Sequence, residues 1–122
     1  MSEKTVMIVD DAKLMRLMLK QIVESGGYKV VADLENGEEL LQQYPEHRPD
    51  LVLLDVIMPK MNGIEALEKV LQIDPGANVI MVSSAGKESN INKSRELGAK
   101  NFIIKPFDQT KVLDIMKLVV GS

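Results

Sequence analysis

Five short β-prone runs recur along this chain at nearly even intervals, beginning at residues 6, 29, 51, 78 and 101. They predict strands at Val6–Val9, Lys29–Leu34, Leu51–Leu54, Asn78–Val82 and Asn101–Ile104. The intervals of 23, 22, 27 and 23 residues each have room for one strand, one helix and two turns. Strict β-α alternation of this kind implies a parallel sheet with helices on both faces, because each parallel crossover must return over a face of the sheet. The runs at 6–9, 51–54 and 79–82 are wholly apolar, as expected of strands covered on both sides.

Helical patterns fill the gaps. Lys13–Ser25 places Leu14, Leu17, Met18 and Ile22 on one face and stops at Gly26-Gly27. A short helix is predicted over Gly37–Tyr44. Gly63–Ile73 aligns Ile64, Leu67, Val70 and Leu71 before the stop "DPG". A weaker pattern covers Ser89–Leu97 and ends at Gly98, and Asp108 reads as the N-cap of a last helix through Val120. Met18, Met81 and Met116 fall on core-facing positions, where a flexible thioether fills gaps. The expectation is a single α/β domain over 1–122.

Composition narrows the function. The chain has 122 residues, no cysteine and a formal charge of −3. Disulfides and thiolate metal sites are therefore excluded. No Lys/Arg cluster stands out, which argues against a nucleic-acid partner. With two Tyr, two Phe and no Trp, there is little to stack on bases or a flavin. No run reaches the ~20 apolar residues of a membrane span. "MSEKTVMIVDD" lacks the basic head and apolar run of a secretory leader, so a cytoplasmic location is expected. His47, in the polar stretch "YPEHRPD", reads as a solvated loop residue.

In open α/β sheets the crevice for ligands lies beyond the carboxyl ends of the strands, where the strand order reverses. Asp10 and Asp11 follow the first predicted strand, Asp55 ends the third, Ser83 and Ser84 follow the fourth, and Lys105-Pro106 follow the fifth. The order 2-1-3-4-5 would make these four strands contiguous, with Asp55 central. Taken singly, each residue has a plainer role: Asp10 or Asp11 could cap the first helix, the serines could be loop residues, and Lys105 could be a solvated charge. Asp55 resists such a reading, because a carboxylate in "VLLDV" costs free energy unless something offsets it. Like charges about 6 Å apart repel by roughly 3 kcal/mol at an effective dielectric near 20. Three carboxylates therefore need a cation or a shifted pKa. Oxygen-only ligands suit Mg²⁺, which also favours phosphate as a ligand. Lys105 offers a point charge and Ser83 a hydroxyl to the same anion. A carboxylate can itself accept a phosphoryl group.

The stretches "VMIVDDAKLMR", "PDLVLLDVIMPKMNGIEAL", "NVIMVSSAG" and "GAKNFIIKPF" span nearly the whole chain. Through them it closely resembles response-regulator receiver domains of the single-domain, chemotaxis (CheY-like) type. The resemblance implies a flavodoxin-like, doubly wound (βα)5 fold, for which CheY itself is a standard example of the 2-1-3-4-5 order. It implies phosphorylation at Asp55, with Mg²⁺ held by Asp11 directly, by Asp10 through a water, by Asp55 and by the backbone carbonyl of Ile57. Lys105, Ser83 and the Ser84 N–H match the phosphate-binding positions, and Ser83 and Phe102 match the switch pair. Lys105-Pro106 matches a bond usually cis in the family. Implied partners are a histidine kinase as donor, a downstream protein such as the flagellar switch or another effector, and a phosphatase; a monomer is expected. Such a protein relays a signal through the face of helix 4, strand 5 and helix 5, and transforms no substrate but its own phosphoryl group. Ser84 stands where Ala is common. Ile57 and Ala85 flank the acceptor and cannot orient a water through a side-chain hydrogen bond, so slow self-dephosphorylation is expected.

Three other functions remain to be weighed. A flavodoxin-like electron carrier would need a phosphate-cradling first loop, and two aspartates there repel phosphate. A phosphatase with an Asp nucleophile would need a second acid at the position of Ile57. A pure scaffold would have no use for the full set of acids.

Overall fold

The computed structural model describes residues 3–121, so Met1, Ser2 and Ser122 of the expected 1–122 domain lie outside the described residues. In chain order the elements are β1 (Thr5–Val9), α1 (Lys13–Ser25), β2 (Lys29–Leu34), α2 (Gly37–His47) and β3 (Leu51–Leu54). They continue with α3 (Gly63–Ile73), β4 (Val79–Ser83), α4 (Glu88–Leu97), β5 (Asn101–Ile104) and α5 (Gln109–Val120). All neighbouring strands pair in parallel, in the order β2-β1-β3-β4-β5. The chain steps outward from β1 to β2 and then back past β1 to β3, so the reversal falls between β1 and β3.

Successive strand residues point to opposite faces, and the apolar runs therefore serve two cores. Val6, Ile8, Leu51, Leu53, Ile80, Val82 and Ile103 pack with Leu19 and Val23 of α1 and with Val112 and Met116 of α5. Met7, Val9, Val52, Leu54, Val79 and Met81 pack with Leu40 and Tyr44 of α2 and with Ala66, Leu67 and Val70 of α3. Three helices open on side-chain caps, each satisfying an orphan N–H of the first turn. Asn36 Oδ1 accepts from Glu39 N at 2.9 Å, Asn62 Oδ1 from Glu65 N at 2.9 Å, and Asp108 Oδ1 from Lys111 N at 2.7 Å.

Four details depart from the sequence expectations. Helix α2 runs through Pro45 to His47, and Arg48, in the left-handed region at φ 40°, closes it by donating to the Tyr44 carbonyl at 2.8 Å. Proline so near the helix end forfeits a single ladder bond. His47 is accordingly an exposed last-turn residue rather than a loop residue. Strand β4 is shifted one residue onward, so Ser83 is its buried last residue. Neither Asp10 nor Asp11 caps α1, whose N-cap is Ala12 without a side-chain bond.

The largest departure is the face of α1. Leu14, Leu17 and Met18 are 70%, 49% and 42% exposed, while Leu19 and Val23 are fully buried. The helix carries two apolar stripes, 14-17-18 and 15-19-22-23, both at helical spacing, and periodicity alone does not say which one meets the sheet. Met15 and Ile22 pack beside the buried pair, so Ile22 is the one expected face residue that turns inward. Met18 is thus a surface residue, whereas Met81 and Met116 are buried as expected.

Leu19→Ala should destabilise the fold by about 2–5 kcal/mol through lost burial and a cavity. Leu17→Ser should stay within about 0.5 kcal/mol of the parent. Urea unfolding of the two variants measures both, and a costlier Leu17→Ser would place the wrong stripe against the sheet.

Candidate functional site

The strand ends at the carboxyl edge are tied across the sheet by backbone bonds. Asp10 N donates to the Leu34 carbonyl at 2.9 Å, Asp55 N to that of Val9 at 3.0 Å, and Lys105 N to that of Ser83 at 3.0 Å. These bonds fix where each side chain leaves the sheet. Just beyond β3 the chain doubles back, and Gly63 N donates to the Val56 carbonyl at 2.7 Å. A Cβ on Gly63 would collide with the Asp55 carbonyl, so this close approach requires glycine.

Asp10, Asp11 and Asp55 each offer a carboxylate oxygen, all within 4.8 Å of one another. Asp10 and Asp55 are buried, and Asp11 is exposed. Lys105 Nζ lies 2.7 Å from Asp10 Oδ2 and 3.6 Å from Asp55 Oδ2, so one ammonium serves two buried carboxylates. Burial pushes the Asp55 carboxyl above its ordinary range, and Asp10 adds to the rise. Lys105, the Ser83 hydroxyl and the Ile57 N–H, which donates to Asp55 Oδ1 at 3.3 Å, pull it back only in part. The site keeps more negative charge than Lys105 offsets, its donors are all hard oxygens, and one of them faces solvent. That donor set fits a small divalent cation with retained waters.

The other expected site residues differ in their placement. The Ile57 side chain is 60% exposed and points no polar group at Asp55. Ser83 Oγ accepts from Ala85 N at 3.1 Å, and Ser84 is exposed. Phe102, on β5, is half-buried against the α2/α3 core and stands apart from the acids. The Lys105-Pro106 bond is cis, as the resemblance implied.

Sequence reading missed two side chains. Arg16 Nη1 donates to the Asp10 carbonyl at 2.6 Å, and its Nε lies 3.4 Å from Asp33 Oδ1. Asn90 Nδ2 donates to the Ala85 carbonyl at 3.0 Å, holding the β4–α4 loop. The only sequence signal for Arg16 is a cation one turn into the helix that follows an acid pair.

A native carboxyl whose pKa lies above its unfolded value binds more protons folded than unfolded. Stability therefore falls as pH rises from about 3.9 through the raised native value. Ionised Asp55 is then a net cost at neutral pH in the absence of metal. Asp55→Asn should raise Tm at pH 7 in EDTA by several degrees, at roughly 4 °C per kcal/mol for a domain of this size. The gain over the parent should vanish near pH 3.5. Calorimetry on both proteins is the measurement, and a variant that melts lower than the parent at pH 7 would contradict this account.

Comparison with known proteins agrees with this arrangement. Residues 6–117 match the family model of the response regulator receiver domain. Chemotaxis protein CheY of Thermotoga maritima is 42% identical over 116 residues, covering 95% of this chain and 97% of that one. CheY of Bacillus subtilis is 47% identical over 109 residues, covering 89% and 91%. A chain in the crystal structure of the CheX-CheY-BeF3-Mg+2 complex from Borrelia burgdorferi superposes with a TM-score of 0.93 at 40% identity, covering 95% of this chain and 88% of that one. With its 2-1-3-4-5 sheet, its acid cluster at the reversal and these relatives, the chain belongs to the response regulator receiver domain family.

Proposed function

We propose that the chain, acting as one receiver unit over 1–122, is a phosphoacceptor switch. Asp55 takes a phosphoryl group from a phosphohistidine of a kinase. The observation that carries this reading is the placement of Asp55. It is buried at the end of the central strand, short of compensating charge, and flanked by Asp10, Asp11 and Lys105.

In the transfer, an Asp55 carboxylate oxygen attacks phosphorus. The P–N bond breaks, and its electron pair returns to the donor imidazole. Asp10, Asp11, Asp55 and the Ile57 carbonyl would hold Mg²⁺. When bound, that ion neutralises charge on the phosphoryl oxygens. Lys105 exchanges part of its pairing with Asp10 for a phosphoryl oxygen, and the Ser84 N–H and the Ser83 hydroxyl donate to others. Loss of the group is the reverse in kind: water attacks phosphorus, the P–O bond breaks, and the Asp55 carboxylate and inorganic phosphate are released. Neither Ile57 nor Ala85 can orient that water, which supports a long-lived phosphorylated state and a role for a phosphatase. The complex of a similar chain with CheX is consistent with such a partner. Turning Ser83 toward the phosphoryl group pulls on the Ala85 N–H that it now accepts from, which links Asp55 to the β4–α4 loop.

Relatives called chemotaxis proteins support a chemotaxis role, with the flagellar switch or another effector as target. We take the protein to work as a cytoplasmic monomer. Among the described residues no helix is long and apolar enough to cross a membrane.

Incubation with Mg²⁺ and acetyl phosphate should add one phosphoryl group, visible by intact mass, to the parent and none to Asp55→Asn. Equal labelling of both would overturn the assignment. The output side carries a second expectation. Helix α4 buries only Ser94, whose hydroxyl lacks a partner, and Lys87 gives its start no side-chain cap. So little burial makes local opening cheap. Amide hydrogen exchange over 87–97 should be faster than over Lys13–Ser25 and should slow with beryllofluoride and Mg²⁺. Equal protection in the free protein, unchanged by beryllofluoride, would rule out a loosely held output helix.

A further inference from the structure

We propose that Arg16 is a positioning residue for the metal site, acting through the backbone of Asp10 on the direction of Asp11. The inference rests on the reading of Asp10, Asp11 and Asp55 as Mg²⁺ ligands.

The neighbours of Arg16 define the role. Asp10 is held at every polar atom. Its N–H donates to Leu34, Oδ1 accepts from Ala12 N at 2.9 Å, Oδ2 accepts from Lys105, and its carbonyl accepts from Arg16 Nη1. Asp11 is the opposite case: its carboxylate is exposed and has no hydrogen bond or ion pair among the described residues. What aims Asp11 is therefore the peptide plane that joins it to Asp10. The carbonyl of that plane is the atom Arg16 grips.

Arg16 is itself well placed to grip. Its side chain is only 14% exposed, and Asp33 anchors the other edge of the guanidinium. A planar fork can bridge a carbonyl and a carboxylate at once, which a lysine cannot do with the same geometry. Arg16 thus ties the loop after β1 to the end of β2, a strand end that contributes no acid to the cluster. Partners that orient metal ligands in this way typically matter about 10–100-fold in metal affinity.

The sign of the effect separates this role from simple electrostatics. A cation beside a cation site disfavours metal, so removing the charge alone would tighten Mg²⁺ binding. Removing the grip on the Asp10 carbonyl should weaken it. Mg²⁺ titration of the free protein, followed by backbone amide shifts in NMR, is the direct test. Arg16→Gln should bind Mg²⁺ about tenfold more weakly. Arg16→Lys should fall between, and Asp33→Asn, which leaves the Asp10 carbonyl bond but removes the charge that holds Nε, should weaken binding by less than Arg16→Gln. In acetyl phosphate labelling, the Mg²⁺ concentration for half-maximal rate should rise by the same factors, and the rate at saturating Mg²⁺ should return toward that of the parent.

Arg16→Gln that binds Mg²⁺ as tightly as the parent or tighter overturns the proposal. A labelling rate that stays depressed at saturating Mg²⁺ overturns it as well. If Arg16→Gln does not fold, Arg16→Lys and Asp33→Asn carry the test, and parental affinity in both overturns it. A parent protein that takes up no Mg²⁺ removes the metal reading, and this inference with it. Parental binding with unaltered variants removes this inference alone.

Discussion

One ammonium set between two buried carboxylates is the constraint around which this molecule is arranged. Lys105 is brought to Asp10 and Asp55 from the far side of the chain, and only a sheet that places β5, β4, β3 and β1 side by side can deliver it. An unpaired carboxylate at the end of β3 would be prohibitive; a fully neutralised one would have nothing to gain from a metal or a phosphoryl group. The observed pairing lies between these limits. Lys105 is nearer to Asp10 than to Asp55, so Asp55 is left the less satisfied of the two.

That imbalance gives the rest of the fold its mechanical meaning. The strand ends are tied together by backbone bonds, the β3–α3 turn is pinned where only Gly63 fits, and both cores are filled by strand side chains of alternating direction. A rigid edge of this kind keeps the carboxylates close together against their repulsion. On the β4–α4 side, Ser83 Oγ accepts from the Ala85 N–H and Asn90 Nδ2 donates to the Ala85 carbonyl.

Much of this was legible in the sequence because it rests on local pattern. Apolar runs at even spacing fix a parallel sheet, and acids placed at run ends must share an edge whatever the details of packing. What escaped depends on contacts between elements. The inward stripe of α1 is decided by the sheet below it, since Leu17 and Leu19 are equivalent to any periodic rule. Ser83 reads as a loop residue because a hydroxyl looks like the end of a strand, yet its pairing with Ile104 keeps it in β4. Pro45 reads as a helix stop, and its cost is small because the helix has only two residues left to run. Arg16 gave only the faint signal of a cation one turn into the helix, since its partner is a main-chain carbonyl and carbonyls are present everywhere.

The two ends of the chain follow from the same topology. Each strand runs toward the acid edge and each helix runs back, so the start of β1 and the end of α5 both fall at the opposite pole. Lys29 N donates to the Lys4 carbonyl at 2.9 Å, and the hydroxyl of Tyr28 donates to the Gly121 carbonyl at 2.8 Å, placing both ends beside the start of β2. Anything joined to either end, whether a tether, a label or a second folded unit, would hang below the sheet and leave the acid edge open to solvent. The architecture is in this sense a socket with its wiring at the back, and it can be grafted into larger assemblies without rebuilding its chemistry.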